Sequence, residues 1–122
     1  MAVQLNIKRI YEEPSDDDGY RLFIDRLWAR GVKKDAAHID DWAKVLTPSH
    51  ELRKWFHANP TQHEEFARRY LTELHSRSDE IAALLSSITS PRLTLVTATK
   101  DLERGHSAIL KSFLHDWFRE HR

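Results

Sequence analysis

Residues 19–31 read Gly19-Tyr-Arg-Leu-Phe-Ile-Asp25-Arg26-Leu27-Trp28-Ala29-Arg30-Gly31. The run from Tyr20 to Asp25 is apolar and β-type, and it predicts a strand toward the middle of a sheet. After it come one carboxylate, two guanidiniums and an indole, closed by a glycine. A core gains nothing from charges packed into the turn that follows a strand. Leu22 to Ile24 therefore reads as scaffold, and Asp25 to Gly31 as the working end.

Upstream, Val3 to Ile10 alternates apolar and polar residues, as a half-buried strand near a sheet edge would. The intervening Glu12 to Gly19 is rich in turn residues and carries three consecutive aspartates, Asp16 to Asp18. A calcium loop does not fit them, because Pro14 would take the first ligand position and Asp25 would replace the closing glutamate. The expectation is a solvated acidic loop.

Downstream, Val32 to His38 suits one helical turn. Ile39 to Leu46 fits either a helical face or a short strand, and the strand is preferred. Thr47-Pro48 reads as an N-cap followed by the first helical position, with Leu52, Trp55 and Phe56 on one face and Asn59-Pro60 as the stop. Thr61 to Glu64 has the form of a capping box for a helix that buries Phe66, Tyr70, Leu71 and Leu74. A further helical face carries Ile81, Leu84, Leu85 and Ile88. Arg92 to Thr99 is the most β-branched stretch and reads as a central strand. From Ser107 onward, Leu110, Phe113, Leu114, Trp117 and Phe118 form the stripe of a last helix.

Strands interleaved with helices predict an α/β fold: residues 1–122 as a single domain, with a small, mainly parallel sheet of three or four strands covered by helices. Ligands of such sheets bind beyond the carboxyl ends of the strands. The loops 25–31 and 100–107 should then share one crevice.

The first loop offers Arg26 and Arg30 as forks for an anion and Trp28 as a stacking face. The second adds Lys100, Asp101, Arg104, Gly105, His106 and Ser107 at the start of a helix, where free N–H groups suit an anion. Asp25 and His106 are the candidate catalytic acid–base pair, and Arg26, Trp28, Arg30, Lys100, Asp101 and Ser107 the candidate ligand contacts. A structural alternative competes: Asp25 salt-bridged to Arg26 or Arg30, Trp28 capping the core, and Asp101 or Ser107 capping the helix.

The other histidines, including His50 and His57, show no metal spacing and read as surface residues, so no metal site is expected. Arg53-Lys54 and Arg68-Arg69, near Trp55 and Tyr70, could make a nucleic-acid surface, but solvated helix faces are the simpler reading. Nineteen basic residues balance nineteen acidic ones, which disfavours binding through phosphate contacts alone. Walker, dinucleotide-binding and Gly-x-Ser-x-Gly motifs are absent, leaving ATPase, dinucleotide oxidoreductase and serine hydrolase readings unsupported. The chain has no cysteine, which removes disulfides and thiolate chemistry and suits a reducing cytoplasm. No signal-peptide core or membrane-length apolar run is seen, so a cytoplasmic location without membrane contact is expected.

Four segments carry a family resemblance: Asp17 to Gly31, Thr47 to Phe56, Glu65 to Tyr70, and Thr94 to Asp101. Together they resemble the YeaO-like proteins, small bacterial proteins with a domain of unknown function. The resemblance spans nearly the whole chain and implies one α/β domain, with no established activity and no known cofactor. The family commonly has proline where this chain has Ala29, and asparagine where it has Gly105. More distant relatives place cysteines around the last strand and its loop; chemistry resting on them does not transfer to this chain.

The sequence thus points to an anionic, phosphate- or nucleotide-like ligand between the two loops. The alternative is a non-catalytic module that binds nucleic acid or protein through the same basic and aromatic face.

Overall fold

In a computed structural model, which describes residues 3–103 and 105–121, the chain forms a four-stranded sheet in the order β1-β4-β2-β3. The strands are β1 (Gln4–Arg9), β2 (Tyr20–Phe23), β3 (Asp41–Trp42) and β4 (Arg92–Thr97). Every pairing is parallel, so the sequence expectation of an α/β fold holds. The helices are α1 (Lys34–Ala37), α2 (His50–Ala58), α3 (His63–Ser76), α4 (Ser78–Ser86) and α5 (His106–His121).

Strand alternation divides the core in two. Leu22, Ile24, Leu93 and Leu95 face the long helices, meeting Tyr70 and Leu74 of α3, Ile81 and Leu85 of α4, and Leu110, Leu114 and Phe118 of α5. Phe23 and Val96 point to the other face. Among the described residues, no long helix covers that side. The segment after β2 does, through Trp28, Ala29, Val32, Ala37, Ile39 and Trp42. β4 is buried along nearly its whole length because it sits between β1 and β2, whereas β1, at the edge, has only exposed and half-buried residues.

Three local expectations need correction. Helix α2 is capped by Ser49, whose hydroxyl accepts from the Leu52 amide at 3.1 Å. Thr47 cannot serve, since its hydroxyl turns back to the Lys44 carbonyl at the end of a 3-10 turn over Lys44–Leu46. Helix α3 starts at His63 after Gln62, with no side-chain cap; Thr61 is absorbed in a turn closed by Gln62 N–H donating to the Asn59 carbonyl.

The third correction is Asp18. Asp16 and Asp17 are exposed, but Asp18 is buried and accepts from Lys8 at 3.2 Å and from Arg21 at 2.5 Å. Arg21 also donates to the Ala37 carbonyl at 3.0 Å. Sequence reading treated the aspartates as one solvated run, and spacing gave no sign that the third turns inward. Among the described residues, no group of His, Asp and Glu could hold a metal ion. No helix there is long and apolar enough to cross a membrane.

Candidate functional site

β2 leaves the sheet after Phe23, and the next residues form the floor of the site. Ile24 N–H still donates to the Val96 carbonyl, but the Ala98 N–H, just past β4, donates to the Asp25 carboxylate at 2.8 Å. The side chain of Asp25 thus closes the gap between two diverging strands. Its other oxygen accepts from the Thr97 hydroxyl at 2.6 Å and lies 3.0 Å from His106 Nε2. Burial pushes the Asp25 carboxyl up, but the donors His106, Thr97 and Ala98 outweigh it and hold the group below its usual range. The carboxylate is ionised and held by a hydroxyl, an amide and an imidazole.

His106 is the first residue of α5, and its Nε2 also lies 3.0 Å from the Ile24 carbonyl. The edge of its ring meets Tyr70 at a centroid distance of 6.4 Å. Tyr70 is fully buried and donates to the Leu46 carbonyl, and burial drives its hydroxyl far above the ordinary range, so it stays neutral. The imidazole is therefore wedged among a strand end, a carboxylate and a helix.

Beside this pair opens a crevice of about 540 Å³, within the roughly 300–1,000 Å³ usual for small-molecule sites. Asp25, Arg26, Leu27, Thr99, Gly105 and His106 form one side. The opposite wall is α2, which contributes His50, Arg53, Lys54, Phe56 and His57, with Pro48 before it and Phe66 from α3. Arg26 spans the two sides, its Nε donating to the Pro48 carbonyl at 3.0 Å. Phe56 lies flat against Phe66, the centroids 4.1 Å apart. Leu27 stands 67% exposed, placing an apolar side chain at the lip.

The crevice brings together Asp25, Arg26 and His106 from the sequence expectation. The other candidates lie elsewhere. Trp28 packs on Phe23 and Trp42 on the far face of the sheet, and its indole donates to the Val32 carbonyl at 2.8 Å. That is the core-capping role. Arg30 is exposed, is absent from the lining, and its carbonyl accepts from Tyr11 on the other side of that segment. Lys100 and Asp101 are exposed and outside the lining, while Ser107 is buried with its hydroxyl on the Leu102 carbonyl. Arg104 lies outside the described residues. The clamp of Arg26 and Arg30 is not formed, and the side-chain partner that Asp25 takes is His106 rather than either arginine.

What sequence reading missed is the α2 wall. His50, Arg53, Lys54 and His57 fall at i, i+3, i+4 and i+7, a basic stripe one helix face wide. The signal was present, but the pair Arg53-Lys54 was read with its sequence neighbours rather than with residues one turn away. The second basic pair behaves differently. Arg68 and Arg69 both grip Glu65, at 2.5 and 2.8 Å, and Arg69 lies over the Trp55 ring.

The chain matches the profile of the family described as the inactive DUF488-N3 subclade over residues 4–122, and it belongs to that family. It is 37% identical over 117 residues to the uncharacterised protein YeaO of Escherichia coli, covering 96% of this chain and 98% of the relative. An uncharacterised protein of Mycobacterium tuberculosis is 39% identical over 112 residues, covering 92% of this chain and 94% of that one. The resemblance to YeaO-like proteins therefore holds. No solved structure matches the chain.

Proposed function

We propose that this member of the inactive DUF488-N3 subclade binds an anionic small molecule, phosphate- or nucleotide-like, in the crevice between the Asp25 turn, the start of α5 and the α2 wall. The observation that carries this reading is the charge of the lining. Arg26, Arg53 and Lys54 are basic side chains with three histidines around them, and among the described residues of the lining they meet a single carboxylate. Asp25 already accepts from Thr97, Ala98 and His106, so little of its charge is left to repel a ligand. Phe56, Phe66, Leu27 and Pro48 add apolar surface for the body of the molecule.

Binding without turnover is the form we favour. Asp25 is committed to joining two strand ends, and the subclade's description as inactive agrees with that. A cytoplasmic setting accords with a chain without cysteine. The nucleic-acid alternative is weaker, since Arg68 and Arg69 are engaged with Glu65 and Tyr70 is buried.

A thermal-shift and calorimetric screen of phosphorylated metabolites and nucleotides tests the reading. Hits should lose about tenfold or more in affinity with Arg53→Ala or Lys54→Ala, the scale of a lost charge-assisted contact. Hits indifferent to both substitutions would count against the crevice. If an oligonucleotide instead binds with an affinity that collapses as salt rises, the alternative module is the better reading.

A further inference from the structure

We infer that the ligand of this crevice is a phosphomonoester, and that His106 selects it by sharing one proton with the phosphate; the inference rests on the anion-binding reading above. The geometry of His106 is the starting point. Its Nε2 lies 3.0 Å from both the Ile24 carbonyl oxygen and the Asp25 carboxylate oxygen. Neither atom can donate, so Nε2 carries the hydrogen. Nδ1 is the other ring nitrogen, and in the proposal it meets a ligand in the crevice that His106 lines.

In the neutral ring Nδ1 presents a lone pair. A phosphate oxygen brings lone pairs of its own, and the two attract only with a proton between them. Imidazole ordinarily titrates near 6.5 and a phosphomonoester's second ionisation near 6, so on this roughly matched scale either partner can hold that proton. Carboxylates ordinarily release theirs near 4, about two units lower. Phosphodiesters and sulfate esters have no comparable second ionisation to share. Charge points to the same class: among the described residues of the lining, Arg26, Arg53 and Lys54 outnumber the one carboxylate, Asp25, and so favour a multiply charged anion.

The groups around His106 come from several elements. Asp25 lies below it at the end of β2, with Arg26 following, and Tyr70 meets the ring from α3. His50, Arg53, Lys54 and His57 face the crevice from α2. His50 and His57 are imidazoles lining the same crevice, so the test must separate them from His106.

The experiment is isothermal titration calorimetry of the full chain with phenyl phosphate and its isostere phenyl sulfate, in buffers of different ionisation enthalpy. Phenyl phosphate is expected to bind at least about tenfold tighter, with uptake of about one proton and about tenfold weaker binding between about pH 7.5 and 8.5. His106→Gln keeps a donor for Asp25 and Ile24, and should lose the uptake and most of the preference. The double variant His50→Gln, His57→Gln removes two lining side chains and should weaken both compounds alike, while the proton uptake and the ratio of the two affinities persist. Imidazole nitrogen shifts of the wild-type chain give an independent reading, with His106 carrying hydrogen on Nε2 alone when free and on both nitrogens, or sharing it at Nδ1, when phenyl phosphate is bound. Equal binding of the two compounds, uptake that survives in His106→Gln, or uptake lost in the double variant would overturn the selection by His106 while leaving anion binding intact. Failure of both compounds to bind at any pH would remove both readings together.

Discussion

Asp18 and Asp25 bracket β2, and both carboxyls are held below their ordinary range. At Asp18, burial pushes the group up, while the Ser15 amide, Lys8 and Arg21 more than offset it. At Asp25 the counterweights are a histidine, a threonine hydroxyl and one amide. The first carboxylate is thus neutralised by fixed cations and encloses its charge within the fold. The second is held by a hydroxyl, an amide and an imidazole, with no fixed cation on it, and it borders an open crevice. The difference separates an enclosed ion cluster from a candidate site: what matters is whether a charge and its partners are within reach of something arriving from solvent.

That contrast can be broken by experiment. Asp18→Ala strands Arg21, whose side chain is only 4% exposed, and the expected loss is about 3–5 kcal/mol in urea unfolding. A loss under about 1 kcal/mol would mean that water satisfies Arg21 and that the cluster is not structural. Gly19, next to Asp18, has φ of 66°, and a Cβ there would run into the Arg92 carbonyl. Gly19→Ala should cost about 3 kcal/mol, measured the same way.

Asp25→Asn keeps the shape but removes the charge from three donors, and a loss of about 2 kcal/mol is expected. The sign with pH follows from the lowered carboxyl. Its stabilisation is complete above the ordinary carboxylate value of 3.8 and fades as pH falls through the folded value. Wild type and Asp25→Asn should therefore converge as the pH drops below about 4, which stability curves against pH would show. Smallest of all, Gly31→Ala should cost about 1 kcal/mol in Tm-derived stability, because φ of 78° is strained but the space around it is empty. A larger loss there would show that the exposed turn after Asp25 is tighter than its surroundings indicate.

The parts legible in sequence were those governed by periodicity. β4 was read from its β-branched run, and α5 from its stripe of Leu110, Phe113, Leu114 and Trp117. Asp25 and His106 were chosen because a strand end and a helix start were expected to meet, and the parallel sheet does bring them together. Asp18 was not legible, since the direction an aspartate faces in a loop depends on Lys8 and Arg21, which other strands deliver. Trp28 was left between a ligand platform and a core cap for a related reason. An aromatic beside charges looks like a ligand platform until the far face of the sheet is seen to have no long helix, and then Trp28 is the cover. The α2 wall needed only the helical period applied to polar residues as well as to apolar ones.

One contact ties the two faces of the sheet together. The Trp42 indole donates to the Asp25 carbonyl at 2.6 Å, and its ring meets Trp28 edge-on at 5.4 Å. An indole's fluorescence depends on the polarity and hydrogen bonding of its N–H. With Trp55 and Trp117 replaced by phenylalanine, the remaining emission would come from this pair alone. For the proposed anion this pair would serve as an optical reporter, mounted behind the sheet and hydrogen-bonded to the main chain of Asp25.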